Sequence, residues 1–294
     1  MISQKIKVGI IGTGNIGTDL LYKIQRSELL ECSLFAGRDA ESQGIKRAEK
    51  MGVHTSHQSI DAIKNEPTIC DIVFDATSAK AHIQNAKILK ELGKFTIDLT
   101  PSRIGKMCIP VINVSEALDL DNVNMVTCGG QASVPIAKAI MDCNPETEYI
   151  EVVASISSKS AGPGTRLNID EYTQTTKDAI KVFSGVPSAK AIIILNPAEP
   201  PILMNNTIYA KMKEPNLEKI KARVLEIEAE IKQYVPGYKI ALGPIYENGR
   251  LVVMIEVTGR GDYLPSYSGN LDIITCAAVK VAEEYAKKIL KNHE

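Results

Sequence analysis

The sequence predicts an α/β protein, a doubly wound parallel sheet joined to an α+β domain. Three observations carry that expectation. Short apolar, β-branched runs alternate with helical patterns over the first 130 residues, and a glycine-rich turn separates the first run from the first helix. Beyond about residue 145 the texture changes to longer strand patterns and a hairpin signal. Alternation of the first kind builds βαβ crossovers and a parallel sheet, whereas hairpins build an antiparallel or mixed one.

The elements follow in order. Lys7 to Ile11 reads as a buried strand, Asn15 to Arg26 as a helix, and Leu30 to Phe35 as the second strand. Ser42 to Met51 is helical, Asp71 to Asp75 is an apolar strand, and Lys80 to Glu91 is a helix closed by Gly93 in the manner of a C′ glycine. Phe95 to Leu99 and Val123 to Thr127 complete the first set of strands. Pro135 belongs in a first helical turn, because it lacks an N–H to donate, so the next helix should start near Ala132 or Ser133.

In the second half, Tyr149 to Ser158 and Ala191 to Leu195 are strand patterns. Asn248-Gly249 between apolar runs marks a two-residue hairpin leading into Leu251 to Val257. Leu217, Ile220, Val224, Ile227 and Ile231 recur at helical spacing and give an amphipathic helix covering one side of the sheet. Asp272 to Lys291 is a long helix expected to return to the first domain. The expected organisation is residues 1–130 with 270–294 as one domain and 131–269 as the other.

The chain has 294 residues, 44% of them hydrophobic, enough for two cores. Its 34 basic and 35 acidic residues balance, which argues against a nucleic-acid or anionic-membrane partner. No apolar run reaches the roughly 18 residues of a membrane helix, and Met1 to Lys7 leads straight into a strand without a secretory pattern. A cytoplasmic protein is expected. The six cysteines, Cys32, Cys70, Cys108, Cys128, Cys143 and Cys276, show no zinc-ligand spacing, so reduced thiols and no metal are expected.

Gly12-Thr13-Gly14-Asn15-Ile16-Gly17 follows a strand and opens a helix. The first glycine permits the tight turn, the second lets backbone approach a pyrophosphate, and the third allows close helix packing. Asp39 comes 22 positions after Gly17, where a carboxylate bonds ribose hydroxyls. The first domain is therefore expected to be Rossmann-type and to bind NAD. Arg38, beside Asp39, leaves room for the 2′-phosphate of NADP. Ala76 to Ala79 and Asp98 to Pro101 follow the carboxyl ends of later strands, as ligand loops or as plain turns.

Cys128-Gly129-Gly130-Gln131 precedes a helical pattern. A helix N-terminus favours thiolate, and two glycines leave N–H groups free to face an oxyanion. That is the arrangement an aldehyde oxidation needs: attack on the carbonyl, a hemithioacetal, then hydride transfer to nicotinamide. The usual base is absent. The histidines are His54, His57, His82 and His293, none of them in the second domain.

Four blocks then resemble the acylating acetaldehyde dehydrogenases, the small-chain family that works with 4-hydroxy-2-oxovalerate aldolase in aromatic hydrocarbon catabolism. They are residues 122–132 around Thr-Cys-Gly-Gly-Gln, 155–166 ending Ser-Ala-Gly-Pro-Gly-Thr-Arg, 196–201 Asn-Pro-Ala-Glu-Pro-Pro, and 267–273 Tyr-Ser-Gly-Asn-Leu-Asp-Ile. The resemblance runs over essentially the whole chain. It implies oxidation of acetaldehyde with NAD and coenzyme A to acetyl-CoA, by a homodimer whose second domain serves catalysis and dimerisation. By the same resemblance Cys128 is the acyl-thioester cysteine, and Thr13 to Ile16 contact the nucleotide. A second contact segment is Ser160, Ala161, Gly162, Pro163, Gly164, Thr165, Arg166, Leu167 and Asn168, and Asn270 is a late contact. On its residues alone, Asn270 is an N-cap candidate for the last helix. Asn206 stands where relatives carry Asp, and an amide can orient but cannot take a proton. The stretch from Lys239 to Val252 is shorter than in aldolase-bound relatives.

Two other readings are open to the same residues. A phosphate-dependent semialdehyde dehydrogenase would want a second-domain histidine and several arginines, and only Arg166, Arg223, Arg250 and Arg260 are there. A regulator that senses NAD(H) without chemistry would need a basic nucleic-acid-reading module, which a neutral chain does not offer.

Overall fold

The structure is a computed structural model that describes residues 5–162, 165–166 and 168–292. The chain divides into two compact units, Met1–Met125 with Thr275–Glu294, and Val126–Ile274. Each unit has its own sheet.

The first unit is built on seven parallel strands: β1 (Ile6–Ile11), β2 (Leu30–Ala36), β3 (Thr55–Ser56), β4 (Ile72–Asp75), β5 (Phe95–Asp98), β6 (Lys106–Met107) and β7 (Asn122–Asn124). Their order is β3-β2-β1-β4-β5-β7-β6. Val8, Ile10, Ile11, Ile72, Val73 and Phe74 are wholly buried, as both faces of a parallel sheet require. The crossovers carry α1 (Asn15–Gln25), α2 (Gln43–Lys50), α3 (Ile60–Asn65), α4 (Ala79–Glu91) and α5 (Pro110–Ala117). The chain turns to one side after β1 and to the other after β4, so the carboxyl ends of β1 and β4 form the switch point where ligands bind in such sheets.

The long last helix closes this unit. It belongs to the unit from Thr275 onward. Tyr285 stacks on Phe95 with ring centroids 3.9 Å apart, Thr275 Oγ1 donates to Asp19 at 2.6 Å, and Ser27 Oγ donates to Glu283 at 2.7 Å.

Polar groups are buried at the carboxyl ends of β4 and β5. His82, Asp75 and Asp98 have no exposed surface. His82 Nδ1 lies 2.8 Å from Asp75 and Nε2 3.5 Å from Asp98, while Asn122 Nδ2 is 2.9 Å from Nε2. Asn124 and Ser102 donate to Asp98 at 2.7 and 2.6 Å. Asp98 also accepts from the Thr100 N–H at 2.7 Å, and Asp75 accepts from the Thr77 N–H at 3.0 Å. Both loops expected at this edge are therefore tied to the ends of their own strands, and Ser78 caps α4 through the Ala81 N–H.

Burial alone would lower the His82 imidazole, but the Asp75 hydrogen bond and the charges of Asp98 and Asp75 outweigh it, and the net shift is upward. Burial raises the Asp98 carboxyl against the pull of His82 and three hydrogen bonds. Both groups hold protons more tightly folded than unfolded, so their stabilisation is present at low pH and is lost as pH rises. For His82 it is complete below 6.5 and disappears through the higher folded value. The thermal midpoint should therefore fall as pH rises from 6.5. His82→Gln, which leaves two carboxylates buried, should cost about 3–5 kcal/mol and flatten that dependence. Calorimetry across the pH range is the check.

The second unit has five strands, β8 (Tyr149–Ser157), β9 (Ser188–Asn196), β10 (Met204–Lys211), β11 (Tyr238–Glu247) and β12 (Arg250–Val257), in the order β11-β12-β10-β8-β9. Neighbours are antiparallel except β8 and β9. The β11–β12 turn has Asn248 at φ 52° and Gly249 at φ 77°, the two positive angles that an Asn-Gly hairpin turn uses.

Three helices, α6 (Cys128–Cys143), α7 (Ile169–Ser184) and α8 (Leu217–Lys232), pack on one face of this sheet. Val152, Ala154, Ile208, Val253 and Ile255 are buried beneath them. The spacing in α8 buries Ile220, Val224, Ile227 and Ile231 as expected. The last helix, α9, runs from Gly269 to Asn292.

Two sequence expectations are corrected here. The helix after β7 starts at Cys128, not near Ala132, and Pro135 sits in its interior. The Thr127 side chain accepts from the Gly130 N–H at 2.9 Å, and this cap nucleates the helix ahead of the proline. Strand β7 also ends early, at Asn124, because Val126 takes the left-handed conformation at φ 60°.

Candidate active site

In the first unit the glycine-rich turn has the form its spacing requires. Gly12 has φ 106°, and a Cβ there would lie 2.4 Å from the Ala76 carbonyl oxygen. A Cβ on Gly17 would lie 1.8 Å from the Gly12 oxygen. Gly14 differs, since a Cβ there would meet nothing within 4 Å. Gly14 is also the N-cap of α1, with no side chain to cap the helix. The turn thus presents the helix N-terminus across open space, which is what an approaching pyrophosphate needs. Thr13 is held by Ser42 at 3.2 Å, Asn15 and Ile16 open α1, and the Thr18 hydroxyl is buried without a partner among the described residues.

Asp39 lies three residues past β2, exposed, and accepts from the Glu41 N–H at 2.9 Å. One carboxylate oxygen thus steadies the turn into α2, and the side chain stays at the surface beside Arg38.

In the second unit Cys128 is the first residue of α6, and its thiol is half-buried. Two residues earlier, Val126 holds a backbone conformation that β-branched residues avoid, and such strain persists only where packing imposes it. A Cβ on Gly130 would lie 2.7 Å from Val126 Cγ1, and one on Gly129 would lie 2.1 Å from the Tyr172 hydroxyl. Both glycines are sterically required. Cys128 Sγ is 3.6 Å from that hydroxyl.

Burial pushes the Cys128 thiol above its ordinary value, and the Tyr172 hydroxyl and the N–H groups of Gly129 and Cys128 pull it back. The helix terminus favours thiolate as expected, yet the net shift is upward because desolvation wins. At three other thiols burial outweighs the opposing groups by more. Burial pushes Cys32 and Cys108 up to about 12 and Cys70 to about 11.

The sheet secures α6 from below. Asn206, on β10, donates to Ser133 Oγ at 2.7 Å and to the Gly129 carbonyl at 3.3 Å. Its own Oδ1 is buried with no partner among the described residues. Tyr238, on β11, donates to the Ala132 carbonyl at 2.9 Å.

The segment after β8 is partly described. Ser160 is buried and donates to the Ser157 carbonyl at 2.9 Å, and a Cβ on Gly162 would meet nothing within 4 Å. Arg166 donates to the Ala161 and Ser158 carbonyls at 3.0 and 2.8 Å, so its guanidinium holds the loop it belongs to. Thr165 accepts from the Asn168 N–H at 3.3 Å. Pro163, Gly164 and Leu167 lie outside the described residues, as does His293. Asn270 is not the cap of the last helix, because α9 already begins at Gly269. The side chain is buried instead, with Oδ1 unpartnered among the described residues.

Tyr172 is the residue that motif reading missed. It sits in the first turn of α7, 44 positions from Cys128, and no local pattern joins them. The clue was Gly129, since a glycine inside a helix implies that something packs against it.

Comparison with known proteins agrees with this geometry. A family model described as "Semialdehyde dehydrogenase, NAD binding domain" matches residues 7–126. A second, described as "Prokaryotic acetaldehyde dehydrogenase, dimerisation", matches residues 128–265. The chain is 56% identical to an acetaldehyde dehydrogenase of Pectobacterium atrosepticum over 96% of each chain. It is 54% identical to one of Spirochaeta aurantia, over 98% of this chain and 97% of that one. An aspartate semialdehyde dehydrogenase of Vibrio cholerae shares the fold, with a TM-score of 0.65 at 15% identity over 95% of this chain and 98% of that one.

The class is therefore an NAD-dependent oxidoreductase acting on an aldehyde, built from a nucleotide-binding unit and a dimerisation unit. Within it, the chain belongs to the acetaldehyde dehydrogenase family. Among the described residues no helix is long and apolar enough to cross a membrane.

The open space at Gly14 gives a direct check. Gly14→Ala should leave the thermal midpoint within a few degrees of the parent, because nothing stands within 4 Å of the new Cβ. Its bulk would cost the nucleotide about 1–3 kcal/mol of overpacking, roughly a ten- to hundredfold loss of NAD affinity by calorimetric titration.

Proposed function

We propose that the chain converts acetaldehyde and coenzyme A to acetyl-CoA with NAD as oxidant, through an acyl-thioester on Cys128. The observation that carries this reading is the thiol at the first position of α6, facing the Gly129 and Cys128 N–H groups. The Cys128 sulfur adds to the aldehyde carbon, and the oxygen that gains the charge is received by N–H groups at the start of the helix. NAD, when bound, supplies the two-electron acceptor that turns this adduct into a thioester. Coenzyme A then attacks the thioester carbon and releases Cys128. Gly12 to Gly17 hold the pyrophosphate and Asp39 meets the ribose; Asn270, whose Oδ1 has no partner among the described residues, stands as the late contact that the motif resemblance implies. The motif resemblance adds a 4-hydroxy-2-oxovalerate aldolase as the source of the acetaldehyde.

The experiment measures NADH from acetaldehyde with and without coenzyme A. Formation should depend on coenzyme A, and Cys128→Ala should abolish it while leaving NAD binding intact. Full activity in that variant would end the reading.

The dimer interface in this reading is the open face of the second sheet. Cross-strand register places Ile192, Val153, Thr207, Met254 and Leu242 in one row across it, and Tyr209, Val252 and Ile245 in the next. Ile194, Leu242 and Ile245 are each about 45% exposed, at 45, 44 and 44%, an apolar area of the kind that marks an interface. Leu242→Asp with Ile245→Asp should convert dimer to monomer in sedimentation velocity.

A further inference from the structure

Among the described residues, no charged side chain contributes to the ionisation of Cys128. From α7 the titratable group against it is Tyr172, from β10 the polar group facing the α6 N-terminus is the uncharged Asn206, and from β8 the nearest neighbour of that turn is the Ala154 methyl. Among the described residues, its ionisation is governed by burial, the Tyr172 hydroxyl and two backbone N–H groups. The hydroxyl is fixed by packing. Tyr172 is 8% exposed, its ring is carried by the first turn of α7, and α7 is pinned to the start of α6 through Thr176. Thr176 Oγ1 lies 2.7 Å from Thr127 Oγ1, the side chain that caps α6, and donates to the Tyr172 carbonyl at 2.8 Å. The Gly129 N–H and the Thr127 side chain also hydrogen bond to the Tyr172 hydroxyl and both favour charge on its oxygen, so both serve as donors to it, and Cys128 Sγ is the acceptor that its own proton reaches. Burial and the neighbouring thiol keep the phenol well above its ordinary value, so it acts as a donor and not as a base.

We propose that Tyr172 is a catalytic residue, donating its O–H to Cys128 Sγ whenever that sulfur carries negative charge. The inference rests on Cys128 being the nucleophile. The thiol proton leaves to solvent water, and the Tyr172 hydrogen bond stabilises the thiolate left behind. The sulfur lone pair then forms the C–S bond as the carbonyl π pair moves to oxygen. At the other end of the cycle, attack by the coenzyme thiolate breaks the bond between the acyl carbon and Cys128 Sγ. That electron pair returns to the sulfur under the same O–H. One hydroxyl thus serves both attack and departure, and its proton is never transferred. Asn206 cannot accept the thiol proton, and in this arrangement it has no need to.

The test is the pH profile of Cys128 alkylation by iodoacetamide in the full-length protein, read on the Cys128 peptide by mass spectrometry. In Tyr172→Phe the midpoint should rise by about one pH unit, with roughly tenfold slower alkylation at neutral pH. Turnover should fall by a similar factor at unchanged NAD affinity. Placing 3-fluorotyrosine at position 172 keeps the packing and strengthens the donor, so it should move the midpoint down; this protein decides the matter if Tyr172→Phe does not fold. A midpoint unchanged from the parent in either folded protein overturns the proposal. Because alkylation requires neither aldehyde nor coenzyme A, that outcome leaves the acetyl-CoA reading standing. Activity retained in Cys128→Ala would remove both.

Discussion

The start of α6 is the constraint on which the chemistry of the second unit depends. A helix N-terminus leaves N–H groups unpaired, and here the first turn is positioned from three directions. Thr127 caps it, Asn206 and Tyr238 hold its carbonyls from the sheet, and Tyr172 closes on Gly129 from α7. A side chain at Gly129 would strike the Tyr172 hydroxyl, and one at Gly130 would strike Val126. The helix therefore begins at the thiol itself and carries its proline inside. Pro135 has no N–H for the Gln131 carbonyl, a loss accepted in the second turn so that Cys128 can sit at the first position.

The two units solve related electrostatic problems in different ways. The glycine-rich turn keeps its helix N-terminus uncapped and its second glycine clear, so a negative charge brought there would meet backbone N–H groups. The thiol also lies at a helix terminus, with a phenol hydroxyl and, among the described residues, no charged side chain shifting it. Behind the nucleotide edge, real charge is buried: an imidazole lies between two carboxylates, each of which also accepts the N–H groups of its own loop.

Local patterns carried most of the architecture. The central strands of the first sheet read directly because burial on both faces makes them continuous apolar runs, whereas the two-residue edge strands β3 and β6 are too short to leave a pattern; Asn248-Gly249 read as a hairpin because few sequences tolerate two positive φ angles. The Gly12 to Gly17 turn was legible for the same reason, since each glycine has a separate steric task. What stayed hidden depends on long-range contact. The start of α6 was misplaced because a local rule about proline was overridden by the Thr127 cap and by packing from α7 and the sheet. Asn270 looked like a cap and proved to be buried one residue inside the helix. Tyr172 left no mark beyond the glycine it packs against, Gly129, as its contact exists only once α7 lies against Cys128.

The remaining cysteines bear on durability. An enzyme of this family meets an electrophile in every cycle, and acetaldehyde adds reversibly to a thiolate it reaches. Cys32, Cys70 and Cys108 are held protonated at neutral pH chiefly by burial, so they offer the aldehyde almost no nucleophile. The same desolvation acts on Cys128. Selectivity among these thiols thus rests on how far neighbouring groups offset burial, and at Cys128 a hydroxyl and two amides do so.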